Sequence, residues 1–229
     1  MAPASQTLSR GIRILEILAD SSGPLSIAQI ADALAVHRSI AYRLLQTLEV
    51  HRLVTRDGSG LVSLGARMAA LAAGVAHDLQ AEALPELTTI ANQLGMTSFV
   101  VVLDHDECVT LTSIEPRHAV ASVAQRPGTR HPVHVGAPGK AILSVLPHAR
   151  WPESASPQLH SELVDAAAQG FATSHDEVIP SLRSVAVPIT LRGRNPAALA
   201  VVYVASEHAP DEIARVLATS AARIQQALG

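Results

Sequence analysis

Several residues in this sequence carry side chains that could do chemistry. His131 and His134, with Cys108, Asp104 and His105, hold the donor atoms of a zinc or transition-metal site. Pro132 between the two histidines breaks regular structure, and neither a paired cysteine motif nor a His-Glu-x-x-His helix occurs. Scattered histidines satisfied within the fold explain the pattern better than a metal centre. Cys108 alone could be a nucleophile, but it falls in an apolar, strand-like run with no base nearby in sequence, which suits a buried and inert thiol. Lys140 follows a glycine as in a phosphate loop, yet Ala141 stands where that loop needs Ser or Thr. The sequence therefore predicts no catalysis, no cofactor and no metal.

A different chemistry is offered by Arg38, Ser39, Tyr42, Arg43 and Gln46. At about 100° per residue, a helix over 38–49 places Ser39, Tyr42, Arg43 and Gln46 opposite an apolar stripe of Ile40, Leu44, Leu45 and Leu48, with Arg38 at its edge. Arginine can pair with guanine, glutamine with adenine, and serine or tyrosine with phosphate. A solvated helix face would look the same in isolation, so the surrounding elements have to decide.

Those elements form an ordered set. Leu8, Ile12, Leu15 and Leu18 recur at helical spacing and stop at Asp20-Ser21-Ser22-Gly23-Pro24. Ser26 and Gln29 make a capping box for a second helix with Ile27, Ile30, Ala31 and Leu34 inward. No good N-cap precedes the third helix. Leu53–Arg56, a turn at Asp57–Gly60, and Leu61–Leu64 read as a hairpin. Three helices and a hairpin make a winged helix-turn-helix, whose second motif helix enters the major groove. Arg56 and Ser59 on the wing, and Ser26 at the start of the second helix, join the expected DNA contacts. A protein-binding use of the same face stays open.

The chain has 229 residues, 48% of them hydrophobic and 16% charged, so it is too apolar for disorder and long enough for two small domains. No apolar run reaches membrane-spanning length. MAPASQTLSR lacks the charged head and apolar core of a secretory leader, and a lone cysteine cannot build a disulfide framework. A soluble cytoplasmic protein without a membrane partner is expected. The net charge of −3 divides into +1 for residues 1–64, with six Arg against five acids, and −4 for the rest, too small a split to argue DNA binding alone. Lys140 is the only lysine, a bias attributed to codon composition.

Downstream, residues 65–95 keep helical spacing through Met68, Leu71, Leu79, Leu84, Leu87, Ile90 and Leu94, giving one or two helices. Phe99–Leu103, a turn at 104–107 and Cys108–Ile114 predict a β-hairpin, with further strands at 119–124, 182–190 and 197–205 and a last helix over 210–228. This is an α+β pattern with a mostly antiparallel sheet. His134 to Ala141 ends a loop and opens a helix in which Pro138 suits the first helical position. An anion could dock on the free amides there, and a tight turn requiring glycine is the other reading.

The run SRGIRILEILAD…GPLSIAQIADALAVHRSIAYRLLQTLEVHRLVTRDGSGLVSLGARM resembles the DNA-binding domain of IclR-type transcriptional regulators. VGAPGKAIL at 135–143, GFATSHDEVIPSLRSVAVPI at 170–189 and AALAVVYVA at 197–205 resemble three segments of that family's effector-binding domain. The resemblance implies a winged helix-turn-helix (1–64), a linker helix (65–80) and a GAF-like antiparallel-sheet sensor domain (81–229). It implies a regulator that binds double-stranded operator DNA as a homodimer or a dimer of dimers, expected to repress a catabolic operon, with a ligand-enabled activator as the other sign left open. By the same resemblance Gly136 and Ala137 hold a small-molecule carboxylate effector. Other family pocket positions fall on Ser174 and Ser184, where many members have Asp and Cys, and on Ala200 and Val202, sometimes serine. Methyls in place of hydroxyls favour a hydrophobic or aromatic effector body, because a buried donor without an acceptor costs on the order of 1–3 kcal/mol. A degenerate pocket without an effector is the alternative.

Overall fold

The computed structural model describes residues 5–117, 123–152 and 156–229. It divides into two units, Met1–Val75 and Ala76–Gly229.

In the first unit, Ser5 caps α1 (Gln6–Asp20) by accepting from the Leu8 amide. Its buried residues are Ile14 and Leu18, whereas Leu8 and Ile12, expected in the stripe, are 64% and 48% exposed. The later turns of α1 meet the core built with the other helices and the hairpin, and among the described residues Leu8 and Ile12 of its first turns stay outside that core. In α2 (Ile27–Ala33) the Ser26–Gln29 capping box is present. In α3 (Arg38–Val50) the inward residues are Ala41, Leu44, Leu45 and Leu48. Ile40 is exposed, and the smaller Ala41 takes the inward place. The helix has a cap that its sequence does not announce: His37 Nδ1 accepts from the Ser39 amide at 3.3 Å. β1 (Val54–Arg56) and β2 (Val62–Leu64) pair antiparallel, and Leu25 bridges to Val62. The hairpin turn is set by Asp57, whose Oδ1 accepts from the Ser59 and Leu61 amides and the Ser59 hydroxyl.

Within 65–80, α4 (Arg67–Ala72) ends before a left-handed Ala76, and α5 (His77–Leu94) begins after it. The second unit is a six-stranded sheet, every neighbouring pair antiparallel. It comprises β3 (Thr97–Asp104), β4 (Glu107–Ile114), β5 (Arg130–Pro132), β6 (Ala172–His175), β7 (Arg183–Ile189) and β8 (Ala197–Tyr203), in the order β5-β4-β3-β8-β7-β6. The part of the strand expected at 119–124 that falls on 119–122 lies outside the described residues, while 123 and 124 are in no strand.

All seven residues of β8 are buried, because helices cover both faces of the sheet. Val185, Val187, Leu199 and Val201 face α5 and α8 (Pro210–Leu228). Ala186, Ala198, Ala200 and Val202 face α6 (Ala137–Ser144) and α7 (Pro157–Gln169). Three alanines under α6 let that helix lie close to the sheet. Trp151, the sole tryptophan, donates from its indole nitrogen to the Leu143 carbonyl in α6, lies tilted over the His148 ring and meets His160 edge to face.

Gly139 marks the tightest point of this packing, since a Cβ there would lie 1.9 Å from the Val133 carbonyl oxygen. Backbone meets backbone, so nothing flexible can yield. Gly139→Ala should cost at least about 1–3 kcal/mol, as overpacking does. Urea unfolding followed by Trp151 fluorescence checks it; an unchanged midpoint would show that α6 seats without this close approach.

Candidate functional site

The face of α3 away from the core carries Arg38, Ser39, Tyr42, Arg43 and Gln46, all exposed. Their exposure follows from burial of Ala41, Leu44, Leu45 and Leu48 on the other side. Arg38, Arg43 and Gln46 make no side-chain hydrogen bond among the described residues and can reach outward. Ser39 is more constrained, its hydroxyl lying 2.8 Å from His37 Nδ1.

The three residues flanking this face are already engaged within the chain. Arg56 Nη2 donates to Glu49 Oε2 at 3.2 Å, and its Nε lies 3.0 Å from Glu49 Oε1, in ion-pair range but without hydrogen-bond geometry. The same guanidinium sits 5.5 Å from the centre of the Tyr42 ring, so it fastens the wing to α3. The Ser59 hydroxyl donates to Asp57, and that bond, followed by the Leu61 amide, holds the Asp57 carboxyl below the usual carboxylate range. The Ser26 hydroxyl donates to Gln29 Oε1 at 2.8 Å.

A second site lies where α6 begins. Gly136 has φ +85° and ψ 156°, a region that essentially only glycine occupies, and Val178 Cγ2 lies 2.9 Å from where a Cβ would be. The Gly136 amide donates to Glu177 Oε2 at 2.9 Å. Lys140, one turn into the helix, donates to Glu177 Oε1 at 2.6 Å and lies 2.6 Å from Glu162 Oε2. Its side chain is 5% exposed. Burial raises the Glu162 carboxyl, but hydrogen bonds from Lys140 and Gln158 and the Lys140 charge outweigh it and leave it below its ordinary value.

Beside this cluster is a cavity of about 40 Å³. Phe99, His131, Gly136, Ser174, Ser184 and Val202 line it, together with Val178, Ile179 and Leu182 from the segment between β6 and β7. An open cleft of about 800 Å³ shares Ser174, Glu177, Arg183 and Ser184 with it. Of the six residues the resemblance nominated, four line the cavity. Ser174 pairs with Ser184 across β6 and β7, and Ser184 with Val202 across β7 and β8. The Ser184 hydroxyl is spent on the Val201 carbonyl at 2.8 Å. Ala137 and Ala200 instead pack in the core between α6 and the sheet. Burial, partly offset by hydrogen bonds to the Pro132 and Val135 backbone, lowers the His131 pKa and keeps its ring neutral near pH 7.

The other reactive residues do not converge. Cys108 is buried, which pushes its thiol up to about 12, so it is not a thiolate at neutral pH. Asp104 is held below the usual range, first by its hydrogen bond with the exposed His105. Among the described residues no three His, Cys, Asp or Glu side chains form a metal-binding group, and no helix is long and apolar enough to cross a membrane. Sequence reasoning missed Glu177, Glu162, Val178 and Ile179. Lys140 was the available signal: a lone lysine inside the apolar segment 135–143 needs partners to be buried.

The model of the IclR helix-turn-helix domain matches residues 7–58, and that of the C-terminal domain of the bacterial transcriptional regulator IclR matches 72–226. The probable transcriptional regulator SauR of Cupriavidus necator is 29% identical over 84% of this chain and 82% of its own. The transcriptional repressor IclR of Escherichia coli is 28% identical over 63% and 56%. A crystal structure of an IclR regulator from Alicyclobacillus acidocaldarius superposes with a TM-score of 0.83 at 26% identity, covering 99% and 100% of the two chains. A homologue from Microbacterium hydrocarbonoxydans complexed with 4-hydroxybenzoate gives 0.83 at 24%, covering 97% and 99%.

The lysine cluster yields a stability prediction. Glu162 has a depressed folded pKa, so its contribution is present above its ordinary value of 4.5 and disappears as pH falls through the folded one. Lys140→Met leaves two carboxylates facing each other and should cost about 3 kcal/mol at pH 7, with the deficit shrinking on acidification below the ordinary carboxylate range. Urea titrations at several pH values test this; a pH-independent deficit would place the loss in packing instead of charge.

Proposed function

This chain belongs to the IclR family of bacterial transcriptional regulators, and from that premise we propose that it represses a catabolic operon, binding a pseudo-palindromic operator as a homodimer, or a dimer of dimers, and responding to a small carboxylate. Residues 1–64 read DNA, 65–80 link, and 81–229 sense. The reading is carried by one observation: five hydrogen-bonding side chains share the exposed face of a helix whose other face is buried. Arg38, Arg43 and Gln46 address base edges and Ser39 and Tyr42 address phosphates, while Ser26, Arg56 and Ser59 complete the backbone-facing edge. Two relatives, IclR and AllR of Escherichia coli, are repressors, which supports that sign of control.

For the effector, the Gly136 amide receives the carboxylate. Phe99, Val178, Ile179, Leu182 and Val202 surround its body, Ser174 and Ser184 stand at the wall, and Ala137 and Ala200 set the depth from beneath. These apolar walls support an aromatic or hydrophobic acid, and the neighbour complexed with 4-hydroxybenzoate makes that class the first to try. Coupling of about 1–3 kcal/mol would change operator affinity roughly 5- to 150-fold.

Selection from a random duplex pool should yield a palindromic site. On that site Arg43→Ala should weaken binding by about 1–3 kcal/mol. Wild-type affinity in this variant would remove α3 from the groove. Absence of sequence preference at every salt concentration would favour a protein partner for the same face.

A further inference from the structure

The cavity beside Gly136 is too small for the effector it would serve. About 40 Å³ is little more than the space of one water, whereas sites for organic ligands run to roughly 300–1,000 Å³. Three of its apolar walls, Val178, Ile179 and Leu182, lie on the segment between β6 and β7, and Val178 and Ile179 are also exposed to solvent. The adjoining cleft of about 800 Å³ has neither Phe99 nor Gly136 in its lining, so room for a ligand's body beside Gly136 comes from moving this segment, the other walls belonging to the sheet, α6 and their flanking loops.

One residue holds the segment over the cavity. Glu177 Oε2 accepts from the Gly136 amide and Oε1 accepts from Lys140 Nζ, 41 and 37 residues away in sequence. A carboxylate of the chain's own thus occupies the hydrogen-bond donors on which a ligand's carboxylate would rely. Lys140 is also balanced by Glu162, so the three side chains sum to −1 and a further anion is repelled while Glu177 stays.

We propose that Glu177 is the specificity-determining residue of the cavity: it fills the head-group position, and an acidic ligand binds by replacing it on Gly136 N–H and Lys140 Nζ, which frees residues 176–182 to make room for the ligand's body. The inference rests on the carboxylate reading above. It gives acids an advantage over their amides, because only an anion restores both the charge and the two acceptors that Lys140 and Gly136 lose. It also sets the affinity low, because each binding event must first break two charge-assisted hydrogen bonds.

The test compares wild type with Glu177→Gln, using 4-hydroxybenzoate and its uncharged counterpart 4-hydroxybenzamide in calorimetry. Removing the resident charge should tighten the acid by about tenfold or more and leave the amide within about twofold. An equal gain for both compounds would make Glu177 a mere plug, and no gain for the acid would leave it uninvolved; either result overturns the proposal. Acetate supplies the head group alone. In ¹⁵N-labelled protein it should shift the Gly136 amide resonance saturably at about tenfold lower concentration in Glu177→Gln than in wild type, and an equal response refutes the exchange. If an aromatic acid binds both proteins equally, only the exchange fails. If neither protein responds to any acid, the carboxylate reading falls and the exchange falls with it.

Discussion

Burying a single ammonium sets the terms for the larger unit. An ion taken from water loses several kcal/mol of hydration, and only well-placed counter-charges recover it. Lys140 of α6 obtains them from Glu162 of α7 and from Glu177 between β6 and β7, so three stretches of chain must meet at one nitrogen. The meeting is possible because α6 lies close to its surroundings, with Gly139 against the Val133 backbone and alanines at 186, 198 and 200 beneath. Small residues in the sheet and a charge cluster at its rim are thus parts of one packing solution.

In the first unit the corresponding question is which polar side chains are free. Ser26, Ser59 and Arg56 satisfy Gln29, Asp57 and Glu49, and in doing so they fix the start of α2, the hairpin turn and the angle between wing and α3. What remains outward on α3 is Arg38, Arg43 and Gln46, with Tyr42 steadied by the Arg56 guanidinium. The side chains with internal partners hold the elements together, and those left without one among the described residues lie on the exposed face of α3.

Local signals carried most of what the sequence revealed. The Ser26–Gln29 box, the hairpin at 54–64 and Pro210 at the head of the last helix are each decided within a few residues, and they are where expected. Ile40 and Leu8 misled because periodicity finds an apolar stripe without knowing where the neighbouring elements end. His37 as a cap, the helix α7 and the short β5 and β6 depended on context that periodicity does not contain. The Glu177 contacts were out of reach for the same reason, since their partners are separated by whole elements and only the buried Lys140 hinted that partners must exist. Gly136, Ser174, Ser184 and Val202 were found through resemblance; their own spacing would not have grouped them.

The six-stranded sheet ends in two short strands, Arg130–Pro132 on one side and Ala172–His175 on the other. A proline, which has no amide hydrogen to offer, sits in the first of them. A stray chain seeking to add itself to the sheet therefore finds little ladder to extend, and the fold guards its own margins against edge-to-edge aggregation.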